Sequence, residues 1–231
     1  MRIITALALI LLHSPLFAEV PLPSSKEGIV NSLTELGLKQ SSLILQEYKS
    51  VKAIKDISYA QYGDQSLQLD LYSPAEIESP VPGVIVVHGG GWHSGTRQKF
   101  ARIAEELAHR GFVAATISYR LADQAPFPAA IQDCNAATRW MRANATRLML
   151  DPKRIAAIGG SAGGHLVGLM GTAPNMKDFQ GDGGNNDTSS ALQAVISLAG
   201  PFELAFGPIA EKSIKEPDAS NANRWFRTDI T

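Results

Sequence analysis

Residues 154–164 read RIAAIGGSAGG, and this short stretch decides the fold. Its apolar start predicts a buried strand over Arg154–Ile158, and helical periodicity follows from about Ala162 to Met170. Between the two elements, Gly159-Gly160-Ser161-Ala162-Gly163 matches the pattern G-x-S-x-G at a strand-to-helix turn. Small neighbours on both sides allow the serine strained backbone angles, so its hydroxyl is expected at the carboxyl edge of a sheet. A glycine-rich turn with an incidental serine is the alternative interpretation of this motif alone.

A second glycine cluster lies earlier in the chain, where His88-Gly89-Gly90-Gly91-Trp92 follows the apolar run Val84–Val87. Three successive glycines allow backbone N–H groups to point at one spot, because no side chain blocks the approach. A phosphate-binding loop is the alternative, but no Lys-Ser/Thr pair follows as such a loop requires. Both motifs follow predicted strands, and both are expected on the same sheet edge.

Two kinds of strand pattern surround these motifs. Around the turn Gly63-Asp64, apolar and polar residues alternate, which predicts a hairpin with one solvated face. Wholly or largely apolar runs recur later, which is typical of parallel strands covered on both faces. They lie at Val84–Val87 and within Phe112–Ser118, Ile155–Ile158 and Ala194–Leu198.

Helical periods separate those apolar runs. One stripe runs from Phe100 to Leu107 and ends at Gly111, and a longer stripe, entered from Pro128, runs from Ile131 to Leu148. An antiparallel start followed by strand–helix alternation predicts an α/β protein with a doubly wound, mostly parallel sheet and an antiparallel N-terminal edge.

The N-terminus has the pattern of an export signal. Met1-Arg2 is a short basic start, Ile3–Leu12 is apolar, and Ala18 is a plausible cleavage end. The apolar run is too short to span a bilayer, which takes about 20 residues. We therefore predict a signal peptide over residues 1–18, an N-terminal extension over 19–50 and one folded α/β domain over 51–231, with secretion or periplasmic location. No membrane span is expected in the mature protein, although an N-terminal core helix is an alternative for the first segment.

Composition excludes several classes of partner. With 21 basic and 22 acidic residues, the chain has no charge excess that would favour nucleic acid. Cys134 is the single cysteine and lies in an apolar stripe, so we interpret it as a small buried hydrophobe. The loop Gly181–Asp187 contains several oxygen ligands but lacks the spacing of an EF-hand. Neither a metal nor a cofactor is expected.

The intervening sequence adds a family resemblance, from roughly Lys55 to Ala205. The chain resembles α/β-hydrolases of the hormone-sensitive-lipase and feruloyl-esterase-like (BD-FAE-like) kind. Beyond the two glycine motifs, the matching stretches are Tyr119-Arg120-Leu121-Ala122, Pro126-Phe127-Pro128-Ala129-Ala130, Asp133 and Asp151-Pro152-Lys153-Arg154-Ile155.

The resemblance implies a role for each motif residue. Ser161 is the nucleophile, and the N–H groups of Gly90, Gly91 and Ala162 form the oxyanion hole. His88 and Gly89 shape that loop, while Gly159 and Gly163 form the elbow around the serine. Trp92 lines the acyl pocket or, equally well, packs in the core, and His165 is structural.

The expected reaction is hydrolysis of a small ester, or of acyl groups on a polysaccharide, through an acyl-serine and without a cofactor. Three alternatives remain open from the sequence. They are a serine peptidase of the prolyl-oligopeptidase type, an amidase or formamidase with the same fold, and a binding protein without catalytic activity. The sequence leaves the oligomeric state open.

The remaining members of a catalytic triad are not found. The order in this fold is Ser, then Asp or Glu, then His, and the base must be a histidine. Four histidines precede the serine, and His165 lies only about one helical turn beyond it. Acidic residues such as Asp218 and Asp229 follow without a histidine. The sequence therefore predicts a C-terminally incomplete hydrolase with no more than trace activity.

Overall fold

The computed structural model describes residues 50–227. The predicted signal peptide over residues 1–18 and nearly all of the extension over 19–50 lie outside these residues, so the domain boundaries stay predictions. The strands are β1 (Val51–Tyr62), β2 (Gln65–Pro74), β3 (Val81–Val87), β4 (Val113–Ile117), β5 (Leu150–Gly160) and β6 (Ala194–Leu198). The helices are α1 (Ala101–His109), α2 (Ala129–Ala143), α3 (Ala162–Thr172), α4 (Gly207–Lys215) and α5 (Asn221–Phe226). Short 3₁₀ turns lie at Arg97–Phe100, Lys177–Phe179 and Pro217–Ala219.

The six strands of this region form one sheet in the order β1-β2-β4-β3-β5-β6. β1 pairs antiparallel with β2 across the predicted hairpin, and β2 pairs antiparallel with β4. β4, β3, β5 and β6 are mutually parallel. The predicted fold class, a mostly parallel sheet with an antiparallel N-terminal edge, is therefore confirmed.

Helices cover both faces of the sheet, which explains the continuous apolar runs. Ile85 and Val87 of β3 point into a large core shared with α2 and α3. Val84 and Val86 alternate with them and pack into a smaller core against α1. Each fully buried aliphatic side chain contributes about 1.5–3 kcal/mol relative to exposure, so both faces stabilise the strand.

One ion pair fixes the segment between β4 and α2. Asp133, fully buried in α2, accepts hydrogen bonds from the Arg120 backbone N–H at 2.8 Å and from its guanidinium Nη2 at 2.8 Å. The guanidinium also lies over the Tyr62 ring, 3.6 Å from its centroid. These contacts give a structural reason for the matching Tyr119–Ala122 and Asp133 motifs, because they tie strand, segment and helix together.

The second helical stripe ends earlier than its periodicity predicts. Helix α2 ends at Ala143, although the apolar stripe continues to Leu148. The backbone N–H and the side-chain amide of Asn144 both donate to the Trp140 carbonyl, at 3.1 and 2.8 Å. The next N–H, of Ala145, donates instead to the Arg142 carbonyl at 3.2 Å, so regular helical bonding ends here, while Ala145 stays buried in the turn that follows.

Strand β6 differs from expectation in burial. Its apolar run predicts a strand covered on both faces, yet Val195, Ile196 and Leu198 are 38%, 54% and 44% exposed. The expectation of burial is wrong here, because among residues 50–227 α3 is the one helix that packs substantially against β6, which leaves much of the strand uncovered. No helix in this part of the chain has the length and apolarity needed to cross a bilayer.

Candidate active site

Ser161 lies at the turn between β5 and α3, in a conformation that few non-glycine residues adopt. Its φ and ψ are 54° and −121°, and the residue is exposed although Gly160 and Ala162 beside it are buried. The Ser161 N–H donates to the Leu198 carbonyl at 2.8 Å, and its carbonyl accepts from His165 N–H at 3.0 Å. The surrounding backbone thus holds a strained serine with its side chain outward.

Close backbone packing explains the glycines two positions either side of the serine. A Cβ added at Gly159 would collide with the Gly163 carbonyl, and one added at Gly163 would collide with the Val87 and His88 carbonyls. The elbow is therefore in direct contact with the end of β3. Side chains at these two positions would force strand and helix apart.

The triglycine loop lies beside the serine. β3 and β5 pair in parallel with Val87 opposite Gly159, so the residues after both strands emerge at the same sheet edge. A Cβ on Gly89 would lie 3.1 Å from the Ser161 Cβ. Gly90, with φ of 138°, accepts hydrogen bonds from Ser94 N–H and Ser94 Oγ at 3.0 and 2.9 Å. The sequence-predicted serine and glycine loop are thus brought together.

The backbone N–H groups of this edge are available to a ligand. Among residues 50–227, none of the hydrogen bonds found starts at the N–H of Gly90, Gly91 or Ala162. Ala162 is also the first residue of α3, where N–H groups have no partner within the helix. Gly91, Ser161 and Ala162 all line the same pocket. This arrangement can bind an oxyanion next to the serine.

His88 holds the triglycine loop in place through ring stacking and a contact with the Gly89 carbonyl. Its ring stacks on Tyr119 with centroids 4.4 Å apart, and its Nδ1 lies 3.0 Å from the Gly89 carbonyl. The Tyr119 hydroxyl donates to the His88 carbonyl at 3.0 Å. Burial lowers the pKa of His88, which favours a neutral ring. These contacts fix the loop and give His88 no path to the serine hydroxyl.

The pocket over Ser161 has a volume of about 240 Å³. One wall is the loop and elbow. The opposite wall comes from the segment after β6, and Pro208, Lys212 and Asn221 belong to it. A Cβ on Gly91 would collide with the Asn221 amide, so this second wall contacts the glycine loop directly.

An aromatic cluster lies under the pocket. Trp92 and Trp225 are stacked, and the His165 ring packs edge-on against both, with centroids 5.4 and 5.3 Å away. Burial lowers the pKa of His165 to about 4, so the ring is neutral near neutral pH. Trp92 both lines the pocket and packs in the core, since only 3% of it is exposed. His165 accordingly has the surroundings of a structural residue.

No described histidine is placed as a base for the serine. Of the histidines within residues 50–227, none forms a hydrogen bond with the Ser161 hydroxyl. Asp218 is exposed in a 3₁₀ turn, and Asp229 lies outside the described residues.

Sequence reasoning missed the helices that complete the pocket. The sequence analysis assigned no helix to the residues after β6, and these residues contain α4 and α5. Two signals mark these helices: Pro208 in the first turn of α4, and Ser220, whose side chain accepts from Asn223 N–H at 3.2 Å as the N-cap of α5. Trp225 is buried among other aromatic rings, and no periodic pattern in the sequence marks it as buried.

The sheet order, the strained serine and the adjacent triglycine loop together define an α/β-hydrolase of the esterase type. The family model described as BD-FAE matches residues 69–230. The chain belongs to this family.

Proteins that match this chain in sequence are named as ester hydrolases. The chain is 30% identical over 196 residues to a Mycobacterium tuberculosis protein named probable carboxylic ester hydrolase LipM, covering 79% of the chain and 45% of that protein. It is 36% identical over 147 residues to esterase LipC of the same organism, covering 62% of the chain and 36% of LipC. An ethyl acetate hydrolase of Pseudomonas putida is 30% identical, with coverage of 78% and 52%. The chain thus spans about a third to a half of the length of these relatives.

Solved structures of esterases also superpose on this chain. A truncated carbohydrate esterase from gut microbiota superposes with a TM-score of 0.61 at 31% identity, covering 67% of this chain and 58% of that one. The bifunctional GH43-CE of Bacteroides eggerthii gives 0.67 at 29% identity, covering 77% and 26%. Propionate-bound esterase Est2 of Thermogutta terrifontis gives 0.62 at 26% identity, covering 80% and 65%.

Proposed function

We propose that this chain carries the nucleophile and the oxyanion hole of a carboxylic ester hydrolase that works through an acyl intermediate on Ser161. The observation that carries the proposal is the exposed Ser161, with φ of 54°, at the mouth of a pocket shared with Gly91 and Ala162. A strained serine costs about 1–3 kcal/mol of stability, and such strain is concentrated at functional sites.

The chemistry follows from that arrangement. The Ser161 oxygen attacks the ester carbonyl carbon, the C–O bond to the alcohol breaks, and the alcohol leaves with a proton. On this proposal the N–H groups of Gly90, Gly91 and Ala162 bind the negative charge that develops on the carbonyl oxygen. Loss of one such donor costs about 3 kcal/mol in other serine hydrolases. The N-terminus of α3 adds its positive end at the same place.

A base must remove the serine proton and later activate water. His88 and His165 are engaged in packing, and none of the histidines within residues 50–227 bonds to Ser161. We therefore propose that the histidine base is not among the described residues. On this proposal the chain alone turns over esters at trace rates, through the oxyanion hole only.

The pocket that would bind the substrate is small. Pockets for drug-sized ligands have volumes of about 300–1,000 Å³, whereas this one is about 240 Å³. We propose a short acyl group, carried by a small alcohol or by a carbohydrate. The carbohydrate option draws support from structural neighbours that are named carbohydrate esterases.

The test is chemical rescue of the purified chain. The chain is treated with p-nitrophenyl acetate in the presence and absence of imidazole, which replaces the histidine base. Mass spectrometry of peptides then locates the acetyl group. We expect acetylation of Ser161, slow without imidazole and faster with it, and none at this position in Ser161→Ala.

Two results would contradict the proposal. Acetylation at another residue of folded Ser161→Ala, as fast as that of Ser161 in the parent and above the reaction of imidazole alone with the ester, would place the nucleophile elsewhere. Turnover of about ten per second without imidazole, typical of a complete enzyme, would show that the chain contains its own base. A parallel assay with the nitroanilide of the same acyl group separates an esterase from an amidase.

A further inference from the structure

Among the described residues that line the pocket over Ser161, one carries a charged side chain, Lys212 on α4. The other residues in the pocket wall are uncharged, among them Pro201, Pro208 and Ile209. We propose that Lys212 selects ester substrates whose acyl part carries a carboxylate, such as monoesters of dicarboxylic acids. The proposal rests on the proposed function, because it assigns a substrate class to the same site.

The position of Lys212 is fixed by its sequence neighbour. The Ser213 hydroxyl lies 2.7 Å from the Ser220 hydroxyl, and Asn223 Nδ2 donates to the Ser213 carbonyl at 3.1 Å. Ser213 and Ser220 are 1% and 3% exposed, so this polar contact joins α4 to α5 in a buried place. α5 in turn contacts the glycine loop through Asn221. A continuous set of contacts therefore holds Lys212 at the pocket wall.

Among the described residues, no acidic side chain pairs with the charge of Lys212. Lys215, on the same helix, pairs with Glu211 at 3.5 Å. Within residues 50–227, no ion pair or side-chain hydrogen bond of Lys212 is found, although Glu216 lies one turn further along and its backbone N–H donates to the Lys212 carbonyl. An unpaired ammonium beside an uncharged wall attracts an anionic ligand and repels a cationic one.

The exposure of Lys212 to solvent limits how strongly it can favour a carboxylate ligand. Lys212 is exposed, and exposed ion pairs contribute up to about 1 kcal/mol, which corresponds to an affinity ratio of about fivefold. Salt screens such an attraction, because the Debye length is about 8 Å at physiological ionic strength. The preference is therefore expected to be modest and to decrease as salt is added.

The test measures binding in a Ser161→Ala background, where no ester is consumed. The ligands are monoethyl succinate, whose acyl part is short, and its neutral analogue, in which a carboxamide replaces the carboxylate. The readout is tryptophan fluorescence, since Trp92 lines the pocket. We expect the carboxylate ester to bind about fivefold more tightly than the amide. Lys212→Ala should equalise the two affinities, and Lys212→Glu should reverse their order.

The matched control is Lys215→Ala, which removes the same charge from the same helix away from the pocket wall and should leave the preference intact. Equal affinities of the two ligands in the parent, or a preference that survives Lys212→Ala, would overturn the role of Lys212 and leave the esterase proposal standing. Absence of binding by both ligands would overturn the assigned substrate class, and Ser161 acetylation then decides separately on the proposed function.

Discussion

Trp92 and Trp225 stack with ring centroids 4.7 Å apart and planes 7° from parallel. The first follows the triglycine loop and the second belongs to α5, so this contact joins the two walls of the pocket. Phe127 packs edge-on against Trp225 with centroids 5.0 Å apart, and its N–H donates to the Trp225 carbonyl at 2.9 Å. The pocket wall therefore depends on packing beneath it as well as on residues that face the ligand.

Replacing Trp225 should test that dependence. Trp225→Ala is expected to lower the free energy of unfolding by about 3–5 kcal/mol, because a fully buried aromatic side chain leaves a cavity. The measurement is urea denaturation followed by circular dichroism. Phe206→Ala is the matched control, since Phe206 is 75% exposed and its loss should change stability by less than about 0.5 kcal/mol. Similar losses for both variants would contradict the buried position of Trp225.

The stability of the fold should fall in mild acid because of His165. Burial lowers its pKa from 6.5 to about 4, so the folded state binds this proton less readily than the unfolded state. The contribution is fully present above pH 6.5 and decreases as pH falls toward 4, by about 3 kcal/mol in total. Urea denaturation at several pH values between these limits measures it.

A non-titrating variant isolates that effect. His165→Gln should be less stable near neutral pH and should lose the His165 share of the decrease between pH 6.5 and 4, whereas the share of His88, whose pKa burial also lowers, remains. His93→Gln, at a partly exposed position of the loop, serves as the control and should keep the decrease. An unchanged pH dependence in His165→Gln would assign the effect to other groups.

The elbow should not tolerate a single added methyl group at Gly163. Gly163→Ala places a Cβ against the Val87 and His88 carbonyls, which are backbone atoms that cannot rotate away. We expect a loss of about 1–3 kcal/mol in stability, as for other overpacked sites, together with loss of Ser161 acetylation. Gly171→Ala lies on the same helix against the Val195 side chain and should cost less. Equal stability of the two variants would argue against the close packing of strand and elbow.

We also propose that the protein is exported and that its mature form begins near Glu19. N-terminal sequencing of material recovered from the periplasm or the medium checks this prediction. A chain that still begins with Met1 in those fractions would contradict it, and Arg2→Glu should reduce export by removing the basic start of the signal.

The sequence predicted those parts of the molecule in which the local backbone conformation requires particular residue types. The strained turn at Ser161 and the triglycine loop require small residues in a fixed order, so both could be recognised and placed on one sheet edge. The second wall of the pocket could not be placed, because Lys212 and Asn221 belong to short helices positioned by tertiary contacts such as those of Trp225. Burial of β6 was predicted wrongly for a related reason: apolar composition reveals a preference for burial, whereas exposure depends on which elements are present to cover the strand.

The open edge of β6 has a practical consequence for anyone who prepares this protein. Its backbone groups on one side face no strand among residues 50–227, and Ile196, with 54% of its surface accessible, lies on it. Phe202 and Phe206 follow the strand and are also exposed. Unpaired strand edges flanked by apolar side chains are templates for aggregation. We therefore expect the exposed apolar surface at β6 to promote aggregation of the isolated chain, and Ile196→Lys to reduce it.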